Sequence, residues 1–139
     1  MAHIKDVDIV YFDSGDLSEQ TERDREMVIR KAFHDIPLEF DVKNQARVHL
    51  WYEKKFGYPI QPYRSVEAAI NTWPTTATAI AARIDQRGYK ICAPFGLNDL
   101  LGMIVRPNKT QITKEIYEAK VSRWIKHWPD LTIIPWNKA

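Results

Sequence analysis

The stretch Asp6-Val7-Asp8-Ile9-Val10-Tyr11-Phe12-Asp13 constrains this chain more than any other. Ile9, Val10, Tyr11 and Phe12 are β-branched or aromatic and run together, which predicts a buried strand. Side chains alternate along a strand, so Asp6 and Asp8 share a face, roughly 6.6 Å apart. Two carboxylates on one face repel each other, and hard divalent cations bound through oxygen relieve that repulsion. The plainer reading is a strand end with two solvated aspartates, because an acidic-x-acidic triplet is common.

The chain has 139 residues, long enough for a real core, and shows no internal repeat, low-complexity tract or linker. That predicts a single domain over 1–139. Hydrophobic residues at 45% and charged residues at 27% are ordinary for a globular protein. No apolar run approaches a membrane span and no signal peptide is visible. Cys92 is the one cysteine, which excludes an intrachain disulfide and points to a reducing cytoplasm. A net charge of +2 does not argue for nucleic acid by itself. Five tryptophans and six tyrosines read mainly as core, with a minority lining a cleft.

After the turn Ser14-Gly15-Asp16, Ser18 is an N-cap for a helix over Glu19 to His34, with Glu19 and Glu22 in its first turn. Met27, Val28, Ala32 and Phe33 recur at helical spacing as its inner stripe. The run Glu22 to Glu26 reads as a solvated face. Leu38 to Val42 alternates apolar and acidic residues and predicts a second strand with Glu39 and Asp41 on one face. Strand, helix and strand make a crossover unit, right-handed if the strands are parallel. Asn44 caps a helix from Gln45 to Phe56 that Gly57 stops, and Gly57 to Arg64 is an irregular loop. Ser65 caps a short helix. A strand from Thr78 to Ile84 turns at Asp85-Gln86-Arg87-Gly88 into Tyr89 to Cys92. Asn98 to Leu101 is a helical turn capped by Asn98-Asp99. The last helix, Lys114 to His127, carries Ile116, Tyr117, Val121, Trp124 and Ile125 as its stripe, and an apolar tail segment follows. The expected class is α+β: a small mixed β-sheet with packed helices.

Asp41 raises the weight of the opening pair. Three carboxylates converging from neighbouring strands are what a two-metal phosphoryl-transfer site needs, and positioning with charge neutralisation does most of that chemistry. Glu39 rivals Asp41 for the third place. Lys43, Asn44 and Arg47 follow the acidic strand. Arg47 reads equally as a phosphate clamp or as a structural bridge to Asp41 or Glu39. His49 reads as packing or surface, Trp51 and Tyr52 as core before base-stacking platforms, and Cys92 as inert. Lys114, Lys120, Arg123 and Lys126 make a basic face that reads first as solvated and second as a nucleic-acid contact.

The acidic strand resembles that of a bacterial nucleotidyltransferase-like family once described as a domain of unknown function. Asp41-Val42-Lys43-Asn44-Gln45-Ala46-Arg47-Val48-His49-Leu50-Trp51-Tyr52 resembles that family's most recognisable run. Ala93 to Leu100 and the ending Trp128-Pro129-Asp130-Leu131 through Pro135-Trp136 are similar too. The family lies in the wider polymerase-β-like nucleotidyltransferase group. The resemblance implies that Asp6, Asp8 and Asp41 hold Mg²⁺ or Mn²⁺ as catalytic residues. It also implies a nucleoside triphosphate whose nucleotide passes to an unknown acceptor hydroxyl, and by their position after the acidic strand Lys43, Asn44 and Arg47 are the candidate contacts to that substrate. Members carry an upstream helix with a glycine-containing turn that helps hold the phosphates, and this chain starts five residues before Asp6. A truncated start predicts exposed apolar surface around Ile9, Tyr11 or Phe12, self-association into a homo-oligomer, and little transfer by this chain alone. The alternative is a non-catalytic module that binds a nucleotide, RNA or a protein with the same cleft.

Overall fold

The acidic stretch is a strand. In the computed structural model, which describes residues 4–138, β1 runs Asp6–Tyr11. The chain falls into two compact units, Met1–Val66 and Glu67–Ala139. The expectation that Met1 to Lys5 gives no lead-in lies partly outside the described residues.

In the first unit, α1 (Glu19–Ala32) connects β1 to β2 (Glu39–Asn44), and the two strands pair in parallel. The register sets Asp6 opposite Glu39, Asp8 opposite Asp41 and Val10 opposite Lys43. Ser18 caps α1 as predicted, its Oγ accepting the Thr21 N–H at 3.2 Å. Just before it, the Thr21 hydroxyl and then Ser18 hold the Asp16 carboxyl down at about 2. The 3₁₀ turn Gln45–Arg47 leads from β2 into α2 (Val48–Phe56). Gly57 closes that helix at φ 89°, a left-handed conformation that a Cβ would strain. Phe40, Val42, Ala46, Val48 and Tyr52 are buried.

The expected inner stripe of α1 is not its inner face. Met27 and Val28 are each 67% exposed and Phe33 is 42% exposed, although the Phe33 ring stacks on Phe40 at 5.3 Å. Glu22, Glu26 and Arg30, spaced four residues apart, face β2 instead. Glu22 Oε2 accepts the Asn44 N–H at 2.8 Å, Glu26 Oε1 accepts the Val42 N–H at 3.0 Å, and Arg30 Nε donates to the Phe40 carbonyl at 2.9 Å. Alternate residues of a strand turn their backbone groups to opposite edges, so residues 40, 42 and 44 point away from β1. Buried backbone groups without partners are costly, and that cost outweighs the apolar pattern. The charged row of α1 therefore covers the outer edge of β2 as a further strand would.

In the second unit, α3 (Val66–Ile70) precedes a turn, and the strand expected from Thr78 begins only at Ala81. The Thr75 hydroxyl pairs with that of Thr78 at 2.6 Å, and the Thr75 carbonyl accepts the Ala79 N–H at 3.0 Å. These local bonds win over strand propensity. β3 (Ala81–Asp85) and β4 (Gly88–Cys92) form the predicted hairpin, with Gly88 at φ 109°. α4 (Asn98–Leu101) follows, and Asn98-Asp99 does not cap it: Leu97 holds that position without a side-chain bond. Asp99 instead accepts Arg106 Nε at 3.0 Å and the Thr76 hydroxyl at 2.6 Å, and Arg106 is the larger cause of its lowered pKa. β5 (Ile104–Val105) pairs in parallel with β6 (Thr132–Ile133), which lies in the expected apolar tail. α5 (Lys114–Ile125) packs Ile116, Tyr117, Val121 and Trp124 into a core with Val105, Ile112, Leu131, Ile133 and Trp136, whereas Ile125 is exposed. The class is α+β, with the strands paired as three two-stranded sheets among the described residues. No described helix is long and apolar enough to cross a membrane.

Tyr117 ties this core together. It is 1% exposed, and its hydroxyl reaches the carbonyls of Ile134 at 2.6 Å and Val105 at 3.1 Å. Burial pushes its pKa from 10.0 to about 12. Its stabilising contribution is therefore complete below about pH 10 and is lost as pH rises toward 12. Tyr117→Phe is expected to lower stability at pH 7 by about 1–2 kcal/mol, the cost of leaving buried carbonyls short of a donor. It should also flatten the fall in stability above pH 10, which urea titrations at pH 7 and at alkaline pH would read.

Candidate metal centre

Paired residues of adjacent strands project from the same side of a sheet, so Asp6, Asp8 and Asp41 share one face of the β1–β2 pair. One carboxylate oxygen from each lies within 4.8 Å of the others. Asp6 and Asp8 are exposed and Asp41 is half-buried. Glu39 stands opposite Asp6 in the register, yet it lies outside this gathered group. Three anionic oxygen donors, open to water on one side, suit a hard divalent cation that keeps some of its own waters, as Mg²⁺ does. The donor set therefore fits Mg²⁺ or Mn²⁺.

Lys43 is exposed two residues beyond Asp41, on the carboxylate face. Asn44 and Arg47, expected beside it as substrate contacts, are turned to other work. Asn44 is fully buried; its Oδ1 accepts the Asp13 and Ala46 N–H groups, both at 3.0 Å. Its Nδ2 donates to the carbonyls of Asp13 at 2.9 Å and Asp16 at 3.1 Å, so the side chain has no capacity left for a ligand. Arg47 is a structural bridge, with a partner other than Asp41 or Glu39. Its Nη1 lies 2.9 Å from Glu22 Oε1 and its Nε donates to the Leu17 carbonyl at 2.8 Å. Their side chains are 11% and 6% exposed, which makes Glu22 and Arg47 a buried ion pair behind the strands.

Sequence reasoning missed Arg30. Its Nη2 lies 3.3 Å from Asp41 Oδ1 and its Nε 3.8 Å from Glu26 Oε2. The signal that finds it is the row Glu22, Glu26, Arg30 at one-turn spacing ahead of a strand with an exposed edge. On the other face of β1, the Arg25 guanidinium sits 4.3 Å over the Tyr11 ring, and burial raises the Tyr11 pKa against that cation. His49 is half-buried. Tyr52 is core, its ring 4.5 Å from Phe56 and its hydroxyl 2.8 Å from that of Tyr58. Cys92 is a half-buried free thiol. On α5, Lys114 pairs with Glu118 at 3.8 Å, while Arg123 and, at the C-cap just past the helix, Lys126 are exposed.

Residues 1–133 match the model of a protein family described as nucleotidyltransferase. Among solved structures, the chain is similar to an NMR structure described as revealing a CCA-adding enzyme head domain. The TM-score is 0.75 at 24% sequence identity, over 96% of this chain and 69% of that one. At that identity the likeness speaks for the fold. No curated protein matches the chain.

Proposed function

The chain belongs to this nucleotidyltransferase family, and on that premise we propose that it moves a nucleoside monophosphate from a nucleoside triphosphate to an acceptor hydroxyl, using Mg²⁺ or Mn²⁺. The observation that carries this reading is the convergence of Asp6, Asp8 and Asp41 on one open face. Asp6 and Asp8 would hold the cation from β1, and Asp41 would close the set from β2. The bound ion would neutralise charge on the phosphate oxygens and lower the pKa of the acceptor hydroxyl. In the transfer, the acceptor oxygen bonds to the α-phosphorus, the bond from that phosphorus to the bridging α–β oxygen breaks, and pyrophosphate leaves. Asp41 would take the acceptor proton. Lys43 offers an ammonium on the same face, where it would meet the polyphosphate.

The test is pyrophosphate release from each nucleoside triphosphate with Mn²⁺ and a set of hydroxyl acceptors, before and after chelation. Release that chelation reduces to background supports the proposal. Triphosphate binding without release would make the chain a binding module, and the absence of both binding and release would contradict the proposal.

A further inference from the structure

Resting on the functional reading above, we propose that Arg30 is a resident counter-ion of Asp41 on the carboxylate face and competes with the divalent cation for that carboxylate. Three carboxylate oxygens within 4.8 Å of one another repel, the more so the less water lies between them. Arg30 Nη2, 3.3 Å from Asp41 Oδ1, is a cation that the structure sets against this repulsion. It is a held contact. Arg30 Nε is fixed on the Phe40 carbonyl at 2.9 Å, which aims the guanidinium at the next residue of β2. Glu26, anchored by the Val42 N–H at 3.0 Å, gives the same guanidinium a second carboxylate at 3.8 Å. A cation that takes Asp41 therefore leaves Arg30 with Phe40 and Glu26 as partners. Arg30 is a positioning residue: it keeps Asp41 in place without metal and sets how tightly metal binds.

The experiment is Mn²⁺ titration by calorimetry of the wild-type chain, Arg30→Gln and Arg30→Lys, with thermal unfolding of each in chelator and in Mn²⁺. Removing the competitor should strengthen Mn²⁺ binding in Arg30→Gln by about 5-fold, the scale of one partly exposed ion pair. Arg30→Lys keeps the charge without the fork that spans Phe40 and Asp41, so it should fall between the other two. In chelator, Arg30→Gln should unfold at a lower temperature than wild type, and Mn²⁺ should raise its unfolding temperature by more. A role confined to bracing β2 would lower stability without strengthening metal binding. Mn²⁺ affinity in Arg30→Gln equal to or below that of wild type would overturn the proposal. Absence of Mn²⁺ binding by all three proteins would overturn it together with the functional reading, and the two failures are thereby told apart.

Discussion

Glu22→Ala is expected to lower unfolding stability by about 3–5 kcal/mol, the cost of breaking a buried ion pair from one side. Such a loss is a large share of the roughly 5–15 kcal/mol that holds a native domain together. The alanine removes two acceptors at once. The Arg47 guanidinium, bound at 2.9 Å, stays buried with its charge unmatched, and the Asn44 N–H, bound at 2.8 Å, loses its partner at the edge of β2. Asn44 in turn fixes Asp13, Asp16 and Ala46, so the loss lies where β1, the turn after it and the start of α2 meet. Glu22→Leu combined with Arg47→Met removes both charges and should recover part of the loss. Urea unfolding of the two variants would measure this. A loss below about 1 kcal/mol for Glu22→Ala would mean that water replaces the carboxylate at little cost.

Asp8→Asn is expected to weaken Mn²⁺ binding and to lower kcat/KM for nucleotidyl transfer by roughly 10³-fold, equivalent to the several kcal/mol that a positioned metal ion supplies. The amide keeps the shape of the side chain and removes one charge from a crowded anionic face. The metal-free fold should therefore be as stable as wild type or slightly more so. Circular dichroism and thermal unfolding in chelator check the fold, and pyrophosphate release checks the chemistry. A large drop in unfolding temperature without metal would make Asp8 a structural partner.

The face that carries the carboxylates was legible because strand alternation is a strong, local rule. The spacing of Asp6 and Asp8, with Asp41 on a second strand after one helix, was enough to place all three on one side of a parallel pair. Helix α1 was misread because its apolar residues gave a helical stripe, while the face that mattered was made of Glu22, Glu26 and Arg30. Four residues of helix rise about 6 Å and two residues of strand about 6.6 Å, so side chains one turn apart can meet alternate backbone groups of a strand edge. That match depends on which strand edge is open, which no local pattern reports. Asn44 and Arg47 follow the same logic. Their types and position suit phosphate contacts, and only the tertiary pairing with Glu22, Leu17, Asp13 and Asp16 turns them inward. The Thr75 turn was missed because a hydroxyl-to-backbone bond between near neighbours leaves no periodic trace.

Calorimetric titration of Mn²⁺ into the wild-type chain and into Asp41→Asn most directly tests whether the two strands build one cation site. Asp41→Asn removes the carboxylate that β2 contributes and keeps an acceptor for Arg30. Saturable Mn²⁺ binding by wild type that weakens by at least about 10-fold, or 1.4 kcal/mol, in a folded Asp41→Asn is the expected result. Equal Mn²⁺ affinity in the two proteins, with both folded, would contradict it.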